Sequence, residues 1–161
     1  MPSHIDLDIQ NPDNINITPS MDELSQWANT ALSIASKGSL ENINFDMTLR
    51  IVNEIEGKDL NQTYRNKSNA TNVLSFPFEA PENVEINLLG DIVICAPVVA
   101  KEAQIQHKST QSHWAHLTIH GTLHLLGFDH IDENDAVIME NLEINAMASL
   151  GFSDPYQDSS N

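Results

Sequence analysis

In the stretch HGTLHLLGFDH, the histidines His120, His124 and His130 are spaced four and six residues apart. Residues four apart on a helix share a face, so the His120 and His124 imidazoles can reach one ion at a Zn–N distance of roughly 2.0–2.1 Å. Ligands in a single row cannot surround a metal, so the third must come from off the helix axis. Gly127 supplies the means, because a helix-ending glycine lets the chain reverse and return His130 to the other two. A histidine pair alone at this spacing marks packing more often than a metal site. The added glycine and third histidine turn the balance. Structural zinc sites close their shell with four protein ligands, usually including cysteine, and this chain has no Cys-x-x-Cys. Three histidines leave one position open to water, which a bound ion acidifies towards about pKa 7. The spacing therefore points to hydrolysis.

In the H-E-x-x-H pattern of metallopeptidases a glutamate follows the first histidine and acts as general base. Here that residue is Gly121, which argues against a zincin-type peptidase. The other histidines of this region have plainer expectations. His107 and His113 are expected in or near a solvated loop, and His116 as a packed, hydrogen-bonded residue. Cys95 reads as a small buried hydrophobe, and Trp114, Leu117, Leu123 and Leu125 as core. Asp129, beside the third histidine, is a candidate to orient an imidazole.

The elements that must position these groups follow from periodicity. Ile5–Gln10 alternates as a short strand, and Ser20 to Glu23 forms a capping box ahead of Leu24, Trp27, Ala28, Ala31 and Leu32, a helix ending near Lys37 and Gly38. Phe45–Glu54 and Ala70–Phe78 read as strands, with a polar loop or short helical turn over Gly57–Asn69 between them. PENVEIN is an exposed connection. Leu88–Ala96 is more continuously apolar and fits the interior of a sheet. Helices follow over Val98–His107, over His113–Gly127, and from Asp132 through Met139, Leu142 and Ala146 to before Gly151. Strands first and helices after them give an α+β fold: one domain over 1–161, a small mixed sheet packed against helices, and a polar tail over 155–161.

With 7 Lys+Arg against 23 Asp+Glu, the net charge of −16 repels nucleic acid at long range and favours solubility. The basic residues are unevenly spread: Lys58, Arg65 and Lys67 fall together with one acid, Asp59. An apolar fraction of 40% suits a folded globular chain, and no apolar run approaches a membrane span. The first residues lack the basic and apolar regions of a secretory signal, and a lone cysteine forms no internal disulfide, so a cytoplasmic protein is expected.

HGTLHLLGFDH resembles the signature of the YbeY family, bacterial single-strand-specific metallo-endoribonucleases that mature ribosomal RNA. LNQTYRNKSNATNVLSFPFE (Leu60–Glu79) is similar to the family's second block and LLGDIVIC (Leu88–Cys95) to its third. The resemblance extends through Met139, Glu140 and Glu143 to about Pro155, and the first fifty residues add little to it. Phe128 stands where the family more often has tyrosine, and Ser68 where it often has aspartate. The resemblance implies one zinc ion held by His120, His124 and His130 with water as fourth ligand. It also implies Arg65 as the catalytic arginine, single-stranded RNA as substrate, and a role in 16S rRNA 3′-end maturation and ribosome quality control, with the ribosome or its proteins as partner and neither membrane nor DNA. The chemistry agrees with Arg65, since phosphodiester hydrolysis builds charge on oxygens that a planar guanidinium can hold in pairs. Asp91 lies in a family block without a clear role. A ribosome-associated assembly factor with a structural metal is the alternative from another functional class.

Overall fold

The computed structural model describes residues 3–37, 43–67, 69–82 and 87–157. Gly38, Ser68, part of the PENVEIN connection and the last four residues lie outside them. Four strands and five helices follow in the order β1 (His4–Gln10), α1 (Met21–Ser36), β2 (Asn44–Val52), α2 (Glu54–Arg65), β3 (Val73–Pro77), β4 (Leu88–Cys95), α3 (Ala96–Ile105), α4 (Thr110–Leu125) and α5 (Glu133–Ser149). The sheet runs β1-β2-β4-β3. Its first three strands are parallel and β3 is antiparallel to β4, which makes it a mixed sheet in an α+β domain.

β4 takes the interior position that its apolar run requires. Its side chains alternate between two cores: Ile92 and Ile94 join the large one, whereas Val93 and Cys95 join a smaller one on the opposite face. The large core holds Trp27, Leu24 and Leu32 of α1, Met47, Leu49 and Ile51 of β2, Trp114 and Leu123 of α4, and Met139 and Met147 of α5. Each such side chain contributes roughly 1.5–3 kcal/mol on burial. Ser20 caps α1 through the expected box: its hydroxyl accepts from the Glu23 amide at 3.1 Å, and Glu23 Oε1 accepts from the Ser20 amide at 2.9 Å.

α2 is the main departure from the sequence reading. The strand before it stops at Val52 rather than Glu54, and a full helix replaces the expected loop. Asn53 caps it, accepting from the Glu56 amide at 3.0 Å. Gly57, unfavourable inside a helix, is buried here, and a Cβ on it would stand 3.2 Å from Cys95 Sγ. Close approach of α2 to the end of β4 requires the small residue. With α1 between β1 and β2, and α2 between β2 and β3, strands and helices interleave in the first half of the chain instead of strands preceding helices.

α4 lies at the centre, packed against β3, β4, α1, α3 and α5. A helix covered on several sides buries residues around most of its circumference, as this one does with Trp114, Leu117, Ile119 and Leu123, apart from the stripe of His116, His120 and His124. It starts at Thr110 with Ser109 as cap, three residues earlier than its apolar pattern suggests, and ends at Leu125. No helix among the described residues is long and apolar enough to cross a membrane.

Candidate metal centre

α4 presents His120 and His124 one turn apart towards β3. At its end, Gly127 takes φ +103°, a conformation that side-chain-bearing residues rarely adopt. The Gly127 amide donates to the His124 carbonyl at 3.0 Å and the Phe128 amide to the Leu123 carbonyl at 3.0 Å, closing the helix end while the chain turns back. His130 thereby meets the other two. Ring centroids lie 4.6 Å apart for His120 and His124, 5.0 Å for His124 and His130, and 5.4 Å for His120 and His130. One nitrogen from each ring lies within 4.8 Å of the other two.

A second group, joining α4 to α5, adjoins these histidines. The Glu143 carboxylate of α5 is 1% exposed, and its Oε1 accepts from His116 Nε2 at 2.7 Å and His120 Nδ1 at 2.9 Å. Its Oε2 accepts from the Tyr156 hydroxyl at 2.7 Å. Burial pushes this carboxyl up, but the histidine hydrogen bonds outweigh it and hold the group at about 2. Burial, with Glu143 beside it, pushes the Tyr156 phenol far up. Burial also lowers His116, despite its bond to Glu143. With Nδ1 of His120 committed to Glu143, Nε2 is the nitrogen left for a ligand. Burial, and then the imidazoles of His120 and His130, push His124 below its ordinary value, towards the neutral form that binds metal. Three imidazoles, one of them oriented by a carboxylate, fit a divalent ion. The trio His116, His120 and Glu143 is as compact, but its atoms already hydrogen-bond to one another.

The three histidines line a cleft of about 540 Å³ whose other wall is β3, with Tyr64 and Arg65 from the last turn of α2 on its rim. Arg65 is exposed and forms no ion pair among the described residues. Lys58 and Lys67 are also exposed but do not line the cleft. Asn72, on the β3 wall, donates to Glu102 Oε1 at 2.9 Å, and His113 Nε2 contacts the same oxygen at 2.9 Å. His113 is therefore not beside a solvated loop: it is 4% exposed within α4, which begins early enough to include it. His107 is exposed, as expected.

Asp129 does not orient an imidazole among these contacts. Its carboxylate accepts the amide of the neighbouring His130 at 2.7 Å. Glu143 fills the orienting role that the sequence reading assigned to Asp129, and Tyr156 belongs to a segment read as a polar tail. Glu143 entered the sequence reading only within the closing helix of the family resemblance, without a role. Gly121 also acquires a physical role: a Cβ there would stand 2.9 Å from Ile92 Cγ2. The glutamate position of the peptidase pattern thus faces the sheet, where any side chain would have to displace Ile92 of β4.

The model of the Endoribonuclease YbeY family matches residues 8–151. The chain belongs to the YbeY endoribonuclease family. Membership makes it a hydrolase acting on RNA phosphodiester bonds. An Endoribonuclease YbeY from Colwellia psychrerythraea is 50% identical over 138 residues, covering 86% of this chain and 88% of the relative. The solution structure of a protein from Thermotoga maritima superposes with a TM-score of 0.54 at 22% identity, covering 94% of this chain and 99% of its own, a likeness of fold.

Proposed function

We propose that this YbeY protein cleaves single-stranded RNA at a zinc centre held by His120, His124 and His130, with Arg65 as the catalytic arginine. The observation that carries this reading is the shared cleft: the three imidazoles and an arginine with no ion pair among the described residues line one cavity. A zinc ion bound there supplies Lewis acidity towards the phosphodiester. The chain's own residues do the rest. Glu143 holds the His120 ring so that Nε2 faces the cleft. The Arg65 guanidinium offsets negative charge developing on the non-bridging oxygens, and it can do so without first giving up an ion pair. The β3 wall, fixed through Asn72 to Glu102, confines the strand opposite the histidines.

Maturation of the 16S rRNA 3′ end and ribosome quality control in the cytoplasm are the proposed context. The acidic surface favours approach to basic ribosomal proteins, and the cleft itself, lined by no acid among the described residues, is where a phosphate meets little repulsion. The test compares cleavage of single-stranded RNA by the zinc-loaded wild type, His124→Ala and Arg65→Ala, with folding checked by circular dichroism. Arg65→Ala is expected to fold and to lose about 10²–10³-fold in kcat, the scale of removing one charge-stabilising donor. Full activity in folded Arg65→Ala refutes the arginine assignment. Intact RNA with zinc-loaded wild type favours the assembly-factor reading. Mass analysis of the product ends separates attack by the RNA 2′-hydroxyl, which leaves a cyclic phosphate, from attack by water.

A further inference from the structure

The metal cleft does not end at the histidines. Tyr64 and Phe76 line it and also line a second cleft of about 450 Å³, between α2 and the far face of the sheet. Tyr64 is 63% exposed, next to Arg65 in the last turn of α2. Its ring meets Phe76 edge-on, with centroids 5.0 Å apart and planes at 68°. An edge-to-face partner holds the phenol ring in place and leaves a face open to solvent.

The two clefts differ in charge. Among the described residues no acidic side chain lines the metal cleft, and none pairs with Arg65 there. In the second cleft Arg50 is engaged by both oxygens of Glu56, at 3.0 Å for Oε1, and Asp91 adds another carboxylate. A phosphate is repelled from that cleft, whereas a neutral heterocycle is not. Hydrogen-bonding groups on Thr48, Gln10 and Asp91 can meet the edge of such a ring.

We infer that Tyr64, backed by Phe76, is a stacking platform for a nucleobase flanking the scissile phosphate, the base lying towards the second cleft while the phosphate stays beside Arg65. This rests on the RNA-cleavage reading above and accounts for a preference that the metal and Arg65 do not explain. A base inside a duplex is already paired and stacked, so a platform of this kind selects single strands.

Binding is measured apart from cleavage, by fluorescence anisotropy of a labelled single-stranded oligoribonucleotide with the metal-free full chain. Tyr64→Ala is expected to weaken binding by roughly tenfold, the scale of losing one stacked base, and Tyr64→Phe to stay within about twofold of wild type. Thermal melts check that both variants fold. A single abasic substitution in the oligonucleotide is expected to reproduce the loss in wild type and to add nothing to it in Tyr64→Ala. Unchanged affinity in Tyr64→Ala overturns the inference, and it is the outcome expected if a polypeptide covers this seam instead. Equal losses in Tyr64→Ala and Tyr64→Phe also overturn it, since the hydroxyl rather than the ring face would then be responsible. Because no cleavage is read, a failure of the catalytic reading leaves this result interpretable.

Discussion

His116 and His124 stand two turns apart on one helix, both partly buried and both lowered by burial, yet their surroundings differ. His116 is closed off by Glu143, which takes its Nε2 at 2.7 Å, with the Tyr156 ring packed edge-on 5.2 Å away. His124 faces two imidazoles and a cleft, with no carboxylate hydrogen-bonded to it. His120 belongs to both worlds, giving Nδ1 to the carboxylate and leaving Nε2 for the cleft. Identical side chains at helical spacing thus acquire different uses according to what the neighbouring helix places against them. A buried carboxylate turns a histidine into a fixed donor, and its absence leaves a nitrogen lone pair available.

The contrast can be broken most severely from the open side. His124→Ala removes a proposed ligand and is expected to abolish tight zinc binding, measured by chelator competition. RNA cleavage should fall by on the order of 10³-fold or more, the several kcal/mol that a catalytic metal supplies. The melting temperature of the metal-free protein should change far less. If zinc affinity survives, the assignment of the open trio as ligands fails.

Glu143→Gln tests whether the closed side serves the open one. Replacing the carboxylate weakens its hold on His120 Nδ1, so zinc affinity is expected to drop about 10- to 100-fold while the three histidines remain. Long-range nitrogen–proton NMR of the imidazoles should show His120 no longer confined to the Nδ1–H tautomer. An unchanged affinity would make Glu143 a structural partner only. The smallest effect belongs to Tyr156→Phe, which removes one of three donors from Glu143. A loss of about 1 kcal/mol in urea unfolding is expected, with cleavage nearly unchanged. A collapse of activity would place the C-terminal segment in the reaction itself.

Much of the centre was legible because its determinants are local. Four-residue spacing puts His120 and His124 on one helix face wherever that helix packs, and Gly127 turns the chain through its own backbone freedom. The capping box of α1 and the apolar run of β4 are equally local. Arg65 came from resemblance to a family block, not from spacing, since nothing in a polar segment separates one arginine from Lys58 or Lys67.

Tertiary structure alone decided the rest. α2 was missed because Gly57 and a polar face weaken its helical signal, and the compensation lies in packing against Cys95 across the fold. Glu143 reads locally as an acid on a helix, the usual solvated kind, until α5 packs on α4 and buries it between histidines 23 and 27 residues away. Gly121 shows the same division. The sequence by itself determines that no carboxylate base follows His120. Packing of the Ile92 side chain, 2.9 Å from where a Cβ would stand, decides that a larger residue there would crowd the core. Periodicity and backbone freedom belong to neighbouring residues, whereas partners and free volume belong to the packed whole.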